Sequence, residues 1–165
     1  MEHVFDNSTE FATRNEVRAA ASAPAAQAYQ ILRMAFTVAP IVAGLDKFFN
    51  LLADWPAYLS PLAAQALPLS PASFMHVIGP IEMLVGALIL VGYTRLGGYL
   101  AAIWLSGIAI NLITTGHYFD VAVRDVVMAI ASFTLARLAE AGVGVEVRDR
   151  IAAPRSHGSR ETITA

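Results

Sequence analysis

The sequence predicts an all-α membrane protein: a four-transmembrane-helix bundle with a short interfacial helix between spans 1 and 2. Three observations carry this. Of 165 residues, 56% are hydrophobic and only 15% charged, where a soluble domain carries about a quarter charged. Mean hydropathy is +0.56. Four long apolar segments recur along the chain, and Lys and Arg are absent between Phe48 and Thr94.

The segments run from about Ile31 to Ala53, Phe74 to Tyr93, Leu96 to Thr115 and Val121 to Leu138. Each approaches the ~20 residues needed to cross ~30 Å of hydrocarbon. Lipid offers no hydrogen-bond partners, so each span must satisfy its own backbone, as a helix does. Barrel strands need ~10-residue alternating segments, and these runs are longer and continuously apolar. Gly92-Tyr93-Thr94-Arg95 breaks the apolar stretch from Phe74 to Thr115 into two spans.

Residues 1–29 read as a polar N-terminal arm, partly disordered, with a low-complexity run over Ala19–Ala26. They lack an apolar core behind a basic start, so segment one is expected to act as an uncleaved anchor. Residues 30–140 form the transmembrane domain. Residues 141–165 mix charge with Gly, Pro and Ser and read as a disordered cytoplasmic tail. Between spans 1 and 2, Trp55-Pro56 and Tyr58 open the connection and Pro68 to Pro71 close it. A surface helix over about Leu62–Leu67 is expected between them.

Arg14, Arg18 and Arg33 precede the end of the first entry, Arg95 follows span 2, and Arg137, Arg148 and Arg150 follow span 4. The positive-inside rule places both termini in the cytoplasm. The net charge of −2 gives no reason to expect nucleic acid. The chain has no cysteine, which excludes disulfides, thiolate metal sites and dithiol redox chemistry. No phosphate loop, nucleophile elbow or metalloprotease helix is present, and no His/Asp spacing matches a metal site.

Ionisable groups within spans cost about 2.5–3.5 kcal/mol each on insertion scales. With both ends inside, Asp46 and Lys47 fall in the outer part of span 1 and Glu82 near the middle of span 2. Asn111 falls in the outer half of span 3, and Arg124 and Asp125 one turn into span 4. All four spans thus bring a polar group to one half of the bilayer. Asp46, Lys47, Glu82, Asn111, Arg124 and Asp125 are therefore the candidate ligand-binding or proton-relay residues. No catalytic residue is assigned.

The face patterns agree. Arg33, Thr37, Pro40, Gly44 and Lys47 share one side of span 1, and Gly79, Glu82 and Gly86 one side of span 2. Gly97/Ala101, Gly98/Ala102 and Gly107/Asn111 give span 3 a small-residue surface for close approach. Asp120 and Arg124 are spaced to pair along span 4. Two cations against three carboxylates leave one carboxylate over, and the deepest, Glu82, is the expected odd one. Trp55, Tyr58, Tyr93 and Tyr118 read as an interfacial aromatic belt. A buried charge cluster that only fixes helix register stands at about even odds with a functional site.

Arg33, Gly44-Leu45-Asp46-Lys47-Phe48-Phe49, Gly79-Pro80-Ile81-Glu82 with Gly86, and Arg124-Asp125 together resemble the DoxX-like family of four-span membrane proteins. The resemblance spans about Gln30 to Ala139. It implies a membrane subunit or partner of an oxidoreductase system and puts Lys47, Glu82, Arg124 and Asp125 at the family's polar positions. Asp46 beside the lysine, the long polar arm and the lack of a fused redox domain depart from that pattern. The leading expectation is an accessory or quinone-facing subunit of a redox or oxidative-stress system. It would not be an independent enzyme, and any quinone or redox partner protein comes from outside the chain. A small proton-coupled transporter and a non-catalytic scaffold are the competing readings.

Overall fold

Six helices and no strand make up the described residues, 6–152, of the computed structural model, with side chains described for 23–149. They are α1 (Asp6–Asp46), α2 (Pro61–Ala66), α3 (Pro71–Leu90), α4 (Thr94–Thr114), α5 (Phe119–Glu140) and α6 (Val143–Ala152). A 3₁₀ turn, Trp55–Tyr58, precedes α2. Ala23–Asp46, α3 and α4 are each long and apolar enough to cross a membrane. The fourth candidate, α5, reaches that standard only together with Val143–Asp149, across a 63° bend. Its own charges lower its hydropathy, and Asp125 among them is buried in the bundle.

Both ends of the bundle carry more helix than hydropathy alone marks. The polar arm is helical from Asp6 onward and continues into span 1. Alanine is the strongest helix former, and an alanine-rich stretch joined to a stable span extends that span. Val143–Ala152 of the expected disordered tail is also helical. It turns at Gly142 (φ +79°) and packs back on α1, where Gly144 touches the Tyr29 ring. Residues 1–5 and 153–165 of the arm and tail lie outside the described residues.

Span 1 also ends earlier than its hydropathy suggests. The apolar run continues to Ala53, yet α1 stops at Asp46. The Asp46 carboxylate accepts hydrogen bonds from the Leu51 and Leu52 backbone N–H groups at 3.0 and 2.9 Å, and Asn50 turns through φ +52°. A side-chain acceptor thus replaces helix continuation. Ser60 and Ser70 then start α2 and α3, each accepting an N–H from three residues on with proline at the first helical position. Pro61 and Pro71 mark helix starts as well as breaks.

Packing organises the helices in two close pairs. In the first, α1 runs antiparallel to α3 with backbones nearly in contact. A Cβ on Gly44 would collide with the Gly79 carbonyl oxygen, and one on Gly86 would lie 2.8 Å from the Thr37 carbonyl oxygen. At the far end of this pair Arg33 donates from Nη2 to the Leu90 carbonyl at 2.9 Å and from Nε to that of Ile89 at 3.3 Å. A cation there satisfies the free Leu90 carbonyl at the α3 C-terminus and shares that of Ile89 with the Gly92 N–H. In the second pair, α4 lies on α5. Gly98 meets Ser132 and Ala136, and the Ser132 hydroxyl donates to the Gly98 carbonyl at 2.8 Å. Tyr29, Phe36, Ile89 and Leu135 form the buried apolar cluster that joins the two pairs at the Arg33 end.

Gly44→Val is expected to destabilise the protein by about 1–3 kcal/mol, because the Gly79 backbone facing it cannot move aside as a side chain would. Thermal unfolding in detergent checks this; a midpoint unchanged from wild type would show that the α1–α3 contact is not close.

Candidate functional site

Because α1 ends early, the chain from Lys47 to Ser60 folds over the end of the bundle instead of rising from it. Asp46 holds this segment. Besides the two backbone donors, its Oδ2 accepts the Trp55 indole N–H at 2.8 Å. The Trp55 ring then lies over the Lys47 ammonium, 3.8 Å from Nζ to the ring centroid. Asn111 of α4 anchors the rest of the connection. Its Nδ2 donates to the Tyr58 carbonyl at 2.7 Å, and its Oδ1 accepts the Ser60 N–H at 3.0 Å.

Below this roof lies the ion pair of the first helix pair. Lys47, only 4% exposed, donates from Nζ to Glu82 Oε2 at 2.5 Å. The other carboxylate oxygen, Oε1, accepts the Trp104 indole N–H of α4 at 3.1 Å. Across the bundle, Arg124 donates from Nε and Nη2 to Asp125 Oδ1, both at 2.9 Å. Asp125 is buried, whereas the Arg124 side chain is 57% exposed. Every buried side-chain nitrogen and oxygen among the described residues has a hydrogen-bond partner.

These groups surround one cavity of about 650 Å³. Trp55 and Tyr58 close one end, and Phe36, Leu105 and Met128 lie toward the apolar cluster at the other. The wall is overwhelmingly apolar, with Lys47, Glu82, Asn111, Arg124 and Asp125 as its convergent polar groups. Such a volume, lining and polar minority are those of small-molecule sites. Ile103 belongs to the wall and is also 72% exposed, midway along α4. The cavity therefore opens on the flank of the bundle, where a bilayer would put acyl chains.

Five of the six candidate residues from the sequence thus meet around one cavity. Asp46 is beside it, behind Trp55, and not part of its wall. Two pairings differ from expectation. Arg124 pairs with Asp125, its neighbour in sequence, and not with Asp120 one turn earlier. The carboxylate left without a cation is Asp46, whereas Glu82 has Lys47. Asp46 sits at a helix end, where backbone N–H groups and an indole do what a cation would otherwise do. Trp55 leaves the expected interfacial belt to face inward. Tyr58 is half-buried, packed edge-on against Tyr118 at 4.9 Å between centroids. His76 stacks on Phe48, with ring centroids 5.3 Å apart. Trp104 is the site residue the sequence reading missed. Its position, seven residues before Asn111 on the same helix face, was the available signal.

A buried ion pair between two spans, faced across the bundle by the buried Asp125 carboxylate and its half-exposed Arg124, defines a membrane-embedded protein built around an interior polar cluster. The chain belongs to the DoxX family, whose model matches residues 28–117. The match takes in Arg33, Lys47, Glu82, Trp104 and Asn111 and ends before Arg124 and Asp125. No curated protein and no solved structure was found to match the chain.

Lys47→Met leaves Glu82 buried without its cation and is expected to destabilise by about 3–5 kcal/mol. Adding Glu82→Gln should recover much of that loss in thermal unfolding, since no unpaired charge then remains. A double variant no more stable than Lys47→Met would refute the pairing as the source of the loss. Asp46→Asn should cost about 1.5–3 kcal/mol, the scale of a hydrogen bond to a charged group. It should also raise protease cleavage within residues 47–60.

Proposed function

We propose that the protein is a quinone-facing membrane subunit of an oxidoreductase or oxidative-stress system, binding a quinone in the cavity beneath Trp55. The observation that carries this reading is the side-opening apolar cavity capped by hydrogen-bonding groups. A ligand entering from the flank must be lipid-soluble, and the polar cap selects one with acceptor oxygens at its head.

The residues fit such a group. Lys47 has three N–H donors, of which Glu82 takes one and the Trp55 ring faces another. Asn111 keeps one amide N–H beyond the bond to Tyr58, and Arg124 keeps Nη1 beyond its bonds to Asp125. Either end of a ring with two carbonyl oxygens has donors within the cavity. A bound quinone would supply two-electron redox chemistry that the chain itself lacks. Glu82, a carboxylate in the wall, would hold or accept a proton there, with Lys47 and Trp104 fixing its two oxygens. Electrons would come from a partner protein. The membrane would be the bacterial inner membrane, with both termini and the α3–α4 turn on the cytoplasmic side, as the basic residues indicate.

Both tryptophans of the chain, Trp55 and Trp104, line the cavity. Titration of the detergent-purified protein with a decyl-tailed benzoquinone should therefore quench most of its tryptophan emission saturably. Lys47→Met/Glu82→Gln, which removes both charges together, should weaken binding about tenfold in protein shown to be folded by circular dichroism. Quenching that never saturates, or is indifferent to the double variant, refutes quinone binding at this site. Because the chain has no cysteine, Gln65→Cys and Tyr93→Cys report orientation directly. A membrane-impermeant thiol reagent added to intact cells should label the first and spare the second; the reverse pattern overturns the orientation.

A further inference from the structure

Five glycines in the spanning helices are explained by close packing. A Cβ on Gly44, Gly79, Gly86, Gly97 or Gly98 would meet a neighbour at 3.0 Å or less. Gly107 is different. It lies inside α4, one turn from Trp104 and one turn from Asn111, and a Cβ there would meet nothing within 4 Å. It is exposed, and it lines the cavity. A glycine in a helix interior is conformationally unfavourable, and no neighbouring backbone requires this one. What the missing side chain does is leave a gap in the cavity wall next to Ile103, at the point where the wall meets the bundle's flank.

We propose that Gly107 is the portal of the cavity, across which the apolar tail of a lipid-soluble ring ligand passes from the site into the bilayer. This deepens the quinone reading and rests on it. The ring lies on the side of Lys47 and Trp104, and the tail crosses the bare backbone of α4 at Gly107. A side chain there obstructs the tail and leaves the ring's polar partners untouched. The site therefore takes ring ligands whose apolar tail reaches it by way of the membrane.

The test compares one benzoquinone ring with and without a decyl tail, read by quenching of Trp55 and Trp104. In Gly107→Leu the tailed probe should bind at least tenfold more weakly, while the tail-less probe binds as in wild type. Ile103→Trp, which obstructs the same rim from a neighbouring position, should reproduce the selective loss by competition against the tailed probe, and it serves if Gly107→Leu does not fold. Ile110→Phe, on the same helix but outside the cavity wall, should change neither. If the tailed probe binds wild type and the obstructed variants equally, the portal is wrong and the quinone site stands. If neither probe binds wild type, the quinone site fails and the portal fails with it.

Discussion

The ion pair between Lys47 and Glu82 ties together the features on which the site depends. An unpaired charge in hydrocarbon is costly, and a pair is tolerated only if the geometry is good and the remaining valences are met. Here the pair forms at 2.5 Å, with an indole N–H on the second carboxylate oxygen. It forms because α1 and α3 approach within the reach of one side chain, and they do so because Gly44 and Gly79 carry no side chains. Close helix packing through small residues and polar bridging between helices are the two usual adhesives of membrane bundles. In this pair each makes the other possible. Lys47 also follows the last residue of α1 directly, so the pair fixes where the roof segment begins.

Asp46 completes that arrangement from the other side. It draws residues 51–55 back toward the helix end and sets the Trp55 ring over Lys47. Cation–π contact of a desolvated ammonium is worth about 2 kcal/mol. Two adjacent residues of opposite charge thus act in different directions. Lys47 turns inward to the neighbouring helix, and Asp46 turns outward to the connection.

The helical class, the spans and the shared faces of α1 and α3 were legible in the sequence because they follow from hydropathy and from 3.6-residue periodicity. Gly79, Glu82 and Gly86 announce an interhelical contact by spacing alone. The partner of each charge was less legible. Pairing depends on how far side chains reach across helices, so Arg124 chose Asp125 over Asp120, and Asp46 rather than Glu82 was left without a cation. The end of α1 was hidden because Phe48 to Ala53 are as apolar as the span they follow. A carboxylate, not a change in hydropathy, ends the helix. The roles of Trp55 and Trp104 were obscured for a related reason: an indole is apolar in any hydropathy pattern, and its single N–H becomes informative only once a carboxylate is found beside it.

An apolar cavity open to the side of a membrane bundle is not by itself a sign of function. Acyl chains are as apolar as leucine and fill such a space at little cost. On the proposed function, the polar cap is what separates this cavity from a packing gap. An acyl chain beneath Trp55 offers nothing to the remaining donors of Lys47, Asn111 and Arg124, while a ring bearing acceptor oxygens does. Each such hydrogen bond to a charged donor is worth about 1.5–3 kcal/mol net, enough to favour the ring over a tail by one to two orders of magnitude per bond. Selection against bulk lipid, present in vast excess, requires that kind of margin. On the proposed function the two features act together: the flank opening would admit a lipid-soluble molecule, and the polar cap would tell it apart from the lipid it arrives in.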